Sequence, residues 1–236
     1  MKSKLVPDVD TALAGLADGM RLMFGGFGLC GNAEHCIAGI RRLGHRDLTV
    51  ISNNCGNPGQ GLAVLVESGQ VRKVVCSFIG GNRDLVQKYL AGDIEVELNP
   101  QGTLAERIRA AGAGLGGFYT PTGVGTVIAE GKETREIDGT RYLLEKPLRA
   151  DFALVRAAIS DEWGNARFHR TAQNFNPLMA MAAKTTIVEA DRVVPVGALD
   201  ADDIHLPGIF VQHVFEAREH VNPIEHRTTR PRGPAA

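Results

Sequence analysis

No apolar run in this 236-residue chain approaches the ~18 residues that a membrane span needs. The amino-terminal MKSKLVPDVD carries two lysines but no apolar core of a signal peptide. A soluble, cytoplasmic protein is therefore expected. An excess of either charge is missing too: 26 Lys and Arg stand against 27 Asp and Glu, and the pI is near 6.7. That balance offers no general field for nucleic acid or an acidic membrane, so a small molecule or a protein partner is expected instead. Cysteine is scarce. Cys30, Cys36, Cys55 and Cys76 stand singly in or beside apolar stretches, with no C-x-x-C pair and no clustered histidines. They read as buried thiols, and no metal site is expected.

Nucleophile signatures are absent as well. The chain has no G-x-S-x-G elbow, no lysine after its glycine-rich segment in P-loop fashion, and no cysteine with an evident histidine partner. His35, His45, His169, His205, His213, His220 and His226 are scattered and read as surface or packing residues. Asp161 and Glu162, in DEWGN, read as a solvated turn. No Pro/Ser linker and no internal repeat marks a domain boundary.

What the chain does have is 44% hydrophobic residues. At this length a fold buries roughly 70% of the surface its unfolded form exposes, without a metal or disulfide staple. Short β-branched runs alternate with helix-period segments, the pattern of an open, mostly parallel α/β sheet covered by helices. Strands are predicted at 21–25, 48–52, 73–78 and 95–98, with helices at 32–42, 61–67 and 83–91. Asn32 is the predicted N-cap of the first helix. A helix at 104–111 begins with Thr103 and Glu106 at capping-box spacing. The glycine-rich 112–125 reads as a long ordered loop, and Asp138-Gly139 as a hairpin turn. Further strands are predicted at 152–156, 185–189 and 209–214, with a helix at 177–184. One domain spans 1–217, and 218–236, poor in apolar residues, reads as a mobile tail.

Ligands of such sheets bind beyond the carboxyl ends of the strands. After the first strand, GGFGLCG at 25–31 places Gly26, Gly28 and Gly31 as G-x-G-x-x-G. A dinucleotide site also needs an acid after the second strand, where this chain has Asn53 and Asn54. The nearest acid, Asp47, precedes that strand. Gly25, Gly26 and Gly28 are expected to form a tight turn with positive φ whose amides also receive an anion. Asn53, Asn54 and Gln101, with glycine amides around them, form a set of neutral donors suited to a substrate carboxylate or a developing oxyanion.

Several motifs resemble the A (alpha) subunit of family I CoA-transferases over nearly the full length. They are GGFGLCG at 25–31, SNNCG at 52–56, VELNPQGTLAERIRAAGAG at 96–114, FYTPTGVGT at 118–126, NFNP at 174–177 and DIHLPGIFVQHV at 203–214. The resemblance implies the CoA-transferase fold and ping-pong movement of CoA from succinyl-CoA to a 3-oxoacid such as acetoacetate. It implies a B (beta) subunit whose S-E-N-G glutamate is the nucleophile, commonly in an α2β2 assembly, and no cofactor beyond the CoA substrate. No catalytic residue is then expected in this chain, which has no S-E-N-G. Asn53, Asn54 and Gln101 would bind the acyl carboxylate or oxyanion, while the 25–31 glycines and the 112–125 segment would shape the pocket wall.

Three positions depart from the family pattern: Ala33 stands for a proline, Gly81 for the glutamate of G-E-N, and Gln173 for the arginine before N-F-N. The 3-oxoadipate transferases share many of these motifs and are the nearest alternative. A nicotinamide-dependent oxidoreductase, or a non-catalytic effector-binding relative of the sugar-phosphate isomerase-like folds, are alternatives of other classes.

Overall fold

The computed structural model describes residues 2–217; the predicted tail at 218–236 lies outside them. The first half alternates strand and helix. After a short α1 (Val9–Ala12) come β1 (Arg21–Phe24), α2 (Glu34–Leu43), β2 (Leu48–Ile51), α3 (Ala63–Glu67), β3 (Val71–Cys76), α4 (Arg83–Ala91), β4 (Glu95–Leu98) and α5 (Gln101–Gly112). An antiparallel insertion follows: β5 (Phe118–Thr120), β6 (Thr134–Ile137) and β7 (Thr140–Glu145). The chain then returns through β8 (Ala150–Ala157), β9 (Ile159–Asp161), β10 (Ala166–Arg167), α6 (Asn176–Met181), β11 (Ala183–Ala190), β12 (Val193–Val194) and β13 (His213–Glu216).

Seven strands form one sheet in the order β13-β11-β8-β1-β2-β3-β4, every pairing parallel. Parallel strands need helical crossovers, so helices cover both faces and the central strands read as continuous apolar runs. All four residues of β2 are buried. Side chains alternate between faces. Leu22, Phe24, Val50 and Val74 join Ile37, Ile40 and Leu65 in one core, while Met23, Ile51 and Val75 join Leu104, Ile108 and Met179 in the other. The sheet is thus fixed between two apolar layers, with its strand ends left open.

Several expectations are corrected. Helix α2 begins at Glu34, with Ala33 at its cap position and no side-chain cap from its own segment. Instead the buried Glu189, at the end of β11, accepts the Cys36 amide at 3.0 Å and pairs with His35 Nδ1 at 3.1 Å. A carboxylate there satisfies an orphan donor and the positive end of the helix dipole, so Asn32 is free for another task. Helix α5 starts at Gln101 behind Pro100, which places Thr103 inside the helix and turns Glu106 toward Arg109 at 2.9 Å; no capping box forms. Segment 112–125 is not one loop, because Phe118–Thr120 pairs with β7. Within 209–214, Gly208–Phe210 is a 3-10 turn and the strand begins only at His213. Asp161 is buried rather than solvated, accepting the Trp163 and Asn165 amides at 2.9 Å each. The Asp138-Gly139 hairpin joins β6 to β7 as expected.

The edge strand β4 carries charge, which discourages pairing with another sheet. Lys73 of β3 meets Glu95 at 2.6 Å and Glu97 at 3.1 Å, and Arg107 of α5 meets Glu97 at 2.7 Å and the Asn99 side chain at 2.5 Å. These contacts hold the turn that leads from β4 to Gln101. Burial alone would raise the Glu97 carboxyl, but hydrogen bonds from Arg107 and Lys73 outweigh it and hold its pKa at about 2. A depressed carboxylate stabilises the fold above its ordinary value of 4.5, and the contribution is lost as pH falls toward 2. Glu97→Gln should therefore lower the urea midpoint at neutral pH and flatten its decline across that acid window; parallel curves for the two proteins would contradict the assignment.

Candidate active site

Beyond the carboxyl ends of four adjacent strands lies a cavity of about 390 Å³. The turn after each strand contributes to it: Phe27 and Gly28 after β1, Asn53 and Asn54 after β2, Phe78 and Gly81 after β3, and Gln101 after β4. No side chain lining it is acidic, basic or imidazole.

The three amides meet, and their orientation follows from one backbone donor. The Gly28 N–H can only donate, so the Asn54 atom it reaches at 2.9 Å is Oδ1. Asn53 Nδ2 donates to that same oxygen at 2.9 Å, and Gln101 Nε2 donates to Asn53 Oδ1 at 2.7 Å. With Oδ1 held by two donors, Asn54 Nδ2 is left without a protein acceptor among the described residues. Asn53, only 4% exposed, is the middle link, while Gln101 stands exposed at the first turn of α5. The three residues expected to act together are joined, but in unequal positions: Asn54 presents the free donor, and Asn53 and Gln101 hold it.

The glycine segment is a clamped turn. Gly26 has φ 116° and Gly28 φ 61°, as expected, whereas Gly25 lacks positive φ and is glycine because a Cβ there would run into the Asn176 side chain. Its amides do not form an open anion nest. The Gly25, Gly26, Phe27, Gly28 and Cys30 N–H groups donate to Leu154 O, Asn174 Oδ1, Cys30 O, Asn54 Oδ1 and Phe27 O. Two residues not singled out from the sequence as site groups hold this turn. Asn174 reaches the Gly26 amide at 2.9 Å and Cys30 O at 3.0 Å; Asn176, fully buried, donates to Gly31 O at 3.1 Å and Ala172 O at 2.9 Å. Asn32 lies over Gly28 O, at 3.5 Å. Asn82 caps α4 at 3.0 Å and ties Cys55 O at 2.9 Å; an asparagine directly before a helical run was a readable signal for that cap.

The cavity holds one thiol, Cys55, 1% exposed, and burial pushes its pKa well above the ordinary range, so it is a poor nucleophile. Cys36 and Cys76 are buried as expected, but Cys30 is exposed on the glycine turn, with Thr171 Oγ1 3.9 Å away. A thiol reagent added to the native chain should modify Cys30 rapidly and the other three only on unfolding. Peptide mass spectrometry would show this, and early labelling of Cys55 would contradict its burial.

This architecture is that of an α/β CoA-transferase. An acyl-CoA transferase from Escherichia coli O157:H7, solved as a thioester complex with CoA, superposes with a TM-score of 0.83 over 94% of this chain and 48% of that one; at 21% identity this is a likeness of fold. The chain belongs to the coenzyme A transferase family, whose model matches residues 6–217. It is 50% identical over 228 residues to the A subunit of succinyl-CoA:3-ketoacid coenzyme A transferase from Helicobacter pylori strain J99, covering 97% of this chain and 98% of that protein. It is 54% identical over 216 residues to the A subunit of 3-oxoadipate CoA-transferase from Pseudomonas putida, covering 91% and 94%. A dinucleotide oxidoreductase is thereby set aside, in keeping with the filled Gly26 and Gly28 amides and the missing acid after β2.

Proposed function

We propose that this chain is the A half of a two-chain cytoplasmic enzyme that moves CoA from succinyl-CoA to a 3-oxoacid such as acetoacetate. The observation that carries the reading is Asn54 Nδ2, a neutral donor fixed in orientation, in an uncharged cavity with no competent nucleophile. Such a donor stabilises a tetrahedral oxyanion without trapping a carboxylate as a strong ion pair.

The missing nucleophile is a glutamate of the partner's S-E-N-G segment, in an α2β2 assembly. Its carboxylate attacks the thioester carbonyl, the C–S bond breaks, and CoA leaves as thiolate from a mixed acyl-glutamyl anhydride. The thiolate then attacks the glutamyl carbonyl and expels the acid as carboxylate, leaving a glutamyl-CoA thioester. The acceptor acid runs the same steps in reverse, which gives ping-pong kinetics. In both additions the negative charge forms on an oxygen that Asn54 can meet. The scheme calls for no metal or organic cofactor, since CoA supplies the thiol.

The identity with the P. putida protein keeps 3-oxoadipate as a second acceptor to test. The test of the whole reading is reconstitution. This chain alone should exchange CoA between succinyl-CoA and acetoacetate negligibly, and co-expression with an S-E-N-G chain should restore turnover. Borohydride should trap the glutamyl thioester on the partner. Full activity from this chain by itself would reject the divided site.

A further inference from the structure

The far wall of the cavity is built differently from the amide wall. Two other glycines that line the cavity, Gly28 and Gly56, have φ of 61° and 62°, so the backbone demands glycine at both. Gly81 has no positive φ, and the nearest atom a Cβ would meet is Asn57 Oδ1 at 3.0 Å, followed by the Phe78 ring at 3.7 Å. The fold does not require glycine at 81; what its missing side chain leaves is room beside Asn57. The Asn57 side-chain amide lines the cavity and makes no hydrogen bond among the described residues, so no protein group fixes which of its two atoms faces Gly81, and a half-turn of the amide brings Nδ2 there in place of Oδ1. Phe78 and Ile79 supply apolar surface next to it.

We infer that Gly81 and Asn57 form a distal subsite for the far end of a dicarboxylic acyl group. The inference rests on the reading above, in which the reacting end lies against Asn54. The acyl carbons run along Phe78, and the Asn57 amide donates to the second carboxylate in the space Gly81 leaves open. A monocarboxylic acid of the acetoacetate type has nothing to place there. The subsite therefore distinguishes substrates by a remote polar group, which contributes to selectivity when its partner amide is desolvated.

The experiment compares 3-oxoadipate with acetoacetate as acceptors for the assembled two-chain enzyme, wild type and with Gly81→Val or Asn57→Val. In a ping-pong scheme kcat/KM for an acceptor reports its own half-reaction, and the ratio of two acceptors is independent of the fraction folded. Both variants are expected to lower the 3-oxoadipate to acetoacetate ratio by about tenfold or more, Gly81→Val by filling the space and Asn57→Val by removing the donor. Transfer to both acids with an unmoved ratio overturns the subsite alone. No CoA transfer to either acid by the wild-type complex overturns the functional reading and the subsite together.

Discussion

Replacing Asn54 by aspartate in the assembled enzyme is expected to lower kcat by about 1000-fold, the upper range for loss of one oxyanion donor. The substitution is nearly isosteric. It keeps an acceptor for the Gly28 amide and for Asn53 Nδ2, so the chain of side chains from Gln101 stays in place. Only the outward atom changes, from a donor to an oxygen bearing charge, and it then repels the oxyanion it should stabilise. Asn54→Ala removes the donor without adding repulsion and should cost less, about 100-fold. Gln101→Ala acts through Asn53 and should cost less again, about 10-fold. An aspartate variant within a few-fold of wild type, with unchanged circular dichroism, would remove Asn54 from the chemistry.

The second large effect is on stability. Asn176 is fully buried and serves three backbone groups: its Oδ1 accepts the Arg156 amide at 3.1 Å, and its Nδ2 donates to Gly31 O and Ala172 O. Asn176→Ala leaves all three without that partner. An unsatisfied buried group costs about 1–3 kcal/mol, so a loss of about 3 kcal/mol and roughly 10 °C in Tm is expected. Asn176→Asp keeps the acceptor for Arg156 but sets a carboxylate against two carbonyl oxygens, and should be no more stable than the alanine variant. Because Asn176 holds the turn whose Gly28 amide anchors Asn54, activity should fall along with stability. A Tm within about 2 °C of wild type would mean that water replaces the side chain without loss.

Parts of this site were legible because they obey local rules. Asn53, Asn54 and Gln101 each follow a strand recognisable from its β-branched run, and in a parallel sheet strand ends converge on one edge. Family motifs pointed to the same residues. The Asp138-Gly139 turn was equally plain, since its two strands are neighbours in sequence. Other features obeyed no local rule. The α2 cap comes from Glu189, 153 positions away, and the Gly26 amide is held by Asn174, 148 positions away. Glycine-rich 112–125 hides a strand because its partner β7 comes after it.

The order of residues was enough to set the class of the fold, the edge of the sheet where chemistry belongs, the family, and the want of a nucleophile. The fold class and the sheet edge follow from periodicity, composition and the residues adjoining each strand; the family follows from the resemblance of its motifs, and the missing nucleophile from the absence of any known nucleophile signature. Packing in three dimensions had to settle which of the three amides keeps a free donor, which asparagines clamp the glycine turn, and that five of the turn's own amides are already occupied. A hydrogen bond joins whatever two groups the sheet order brings within about 3 Å, and that order is settled by two apolar layers packing across the whole chain.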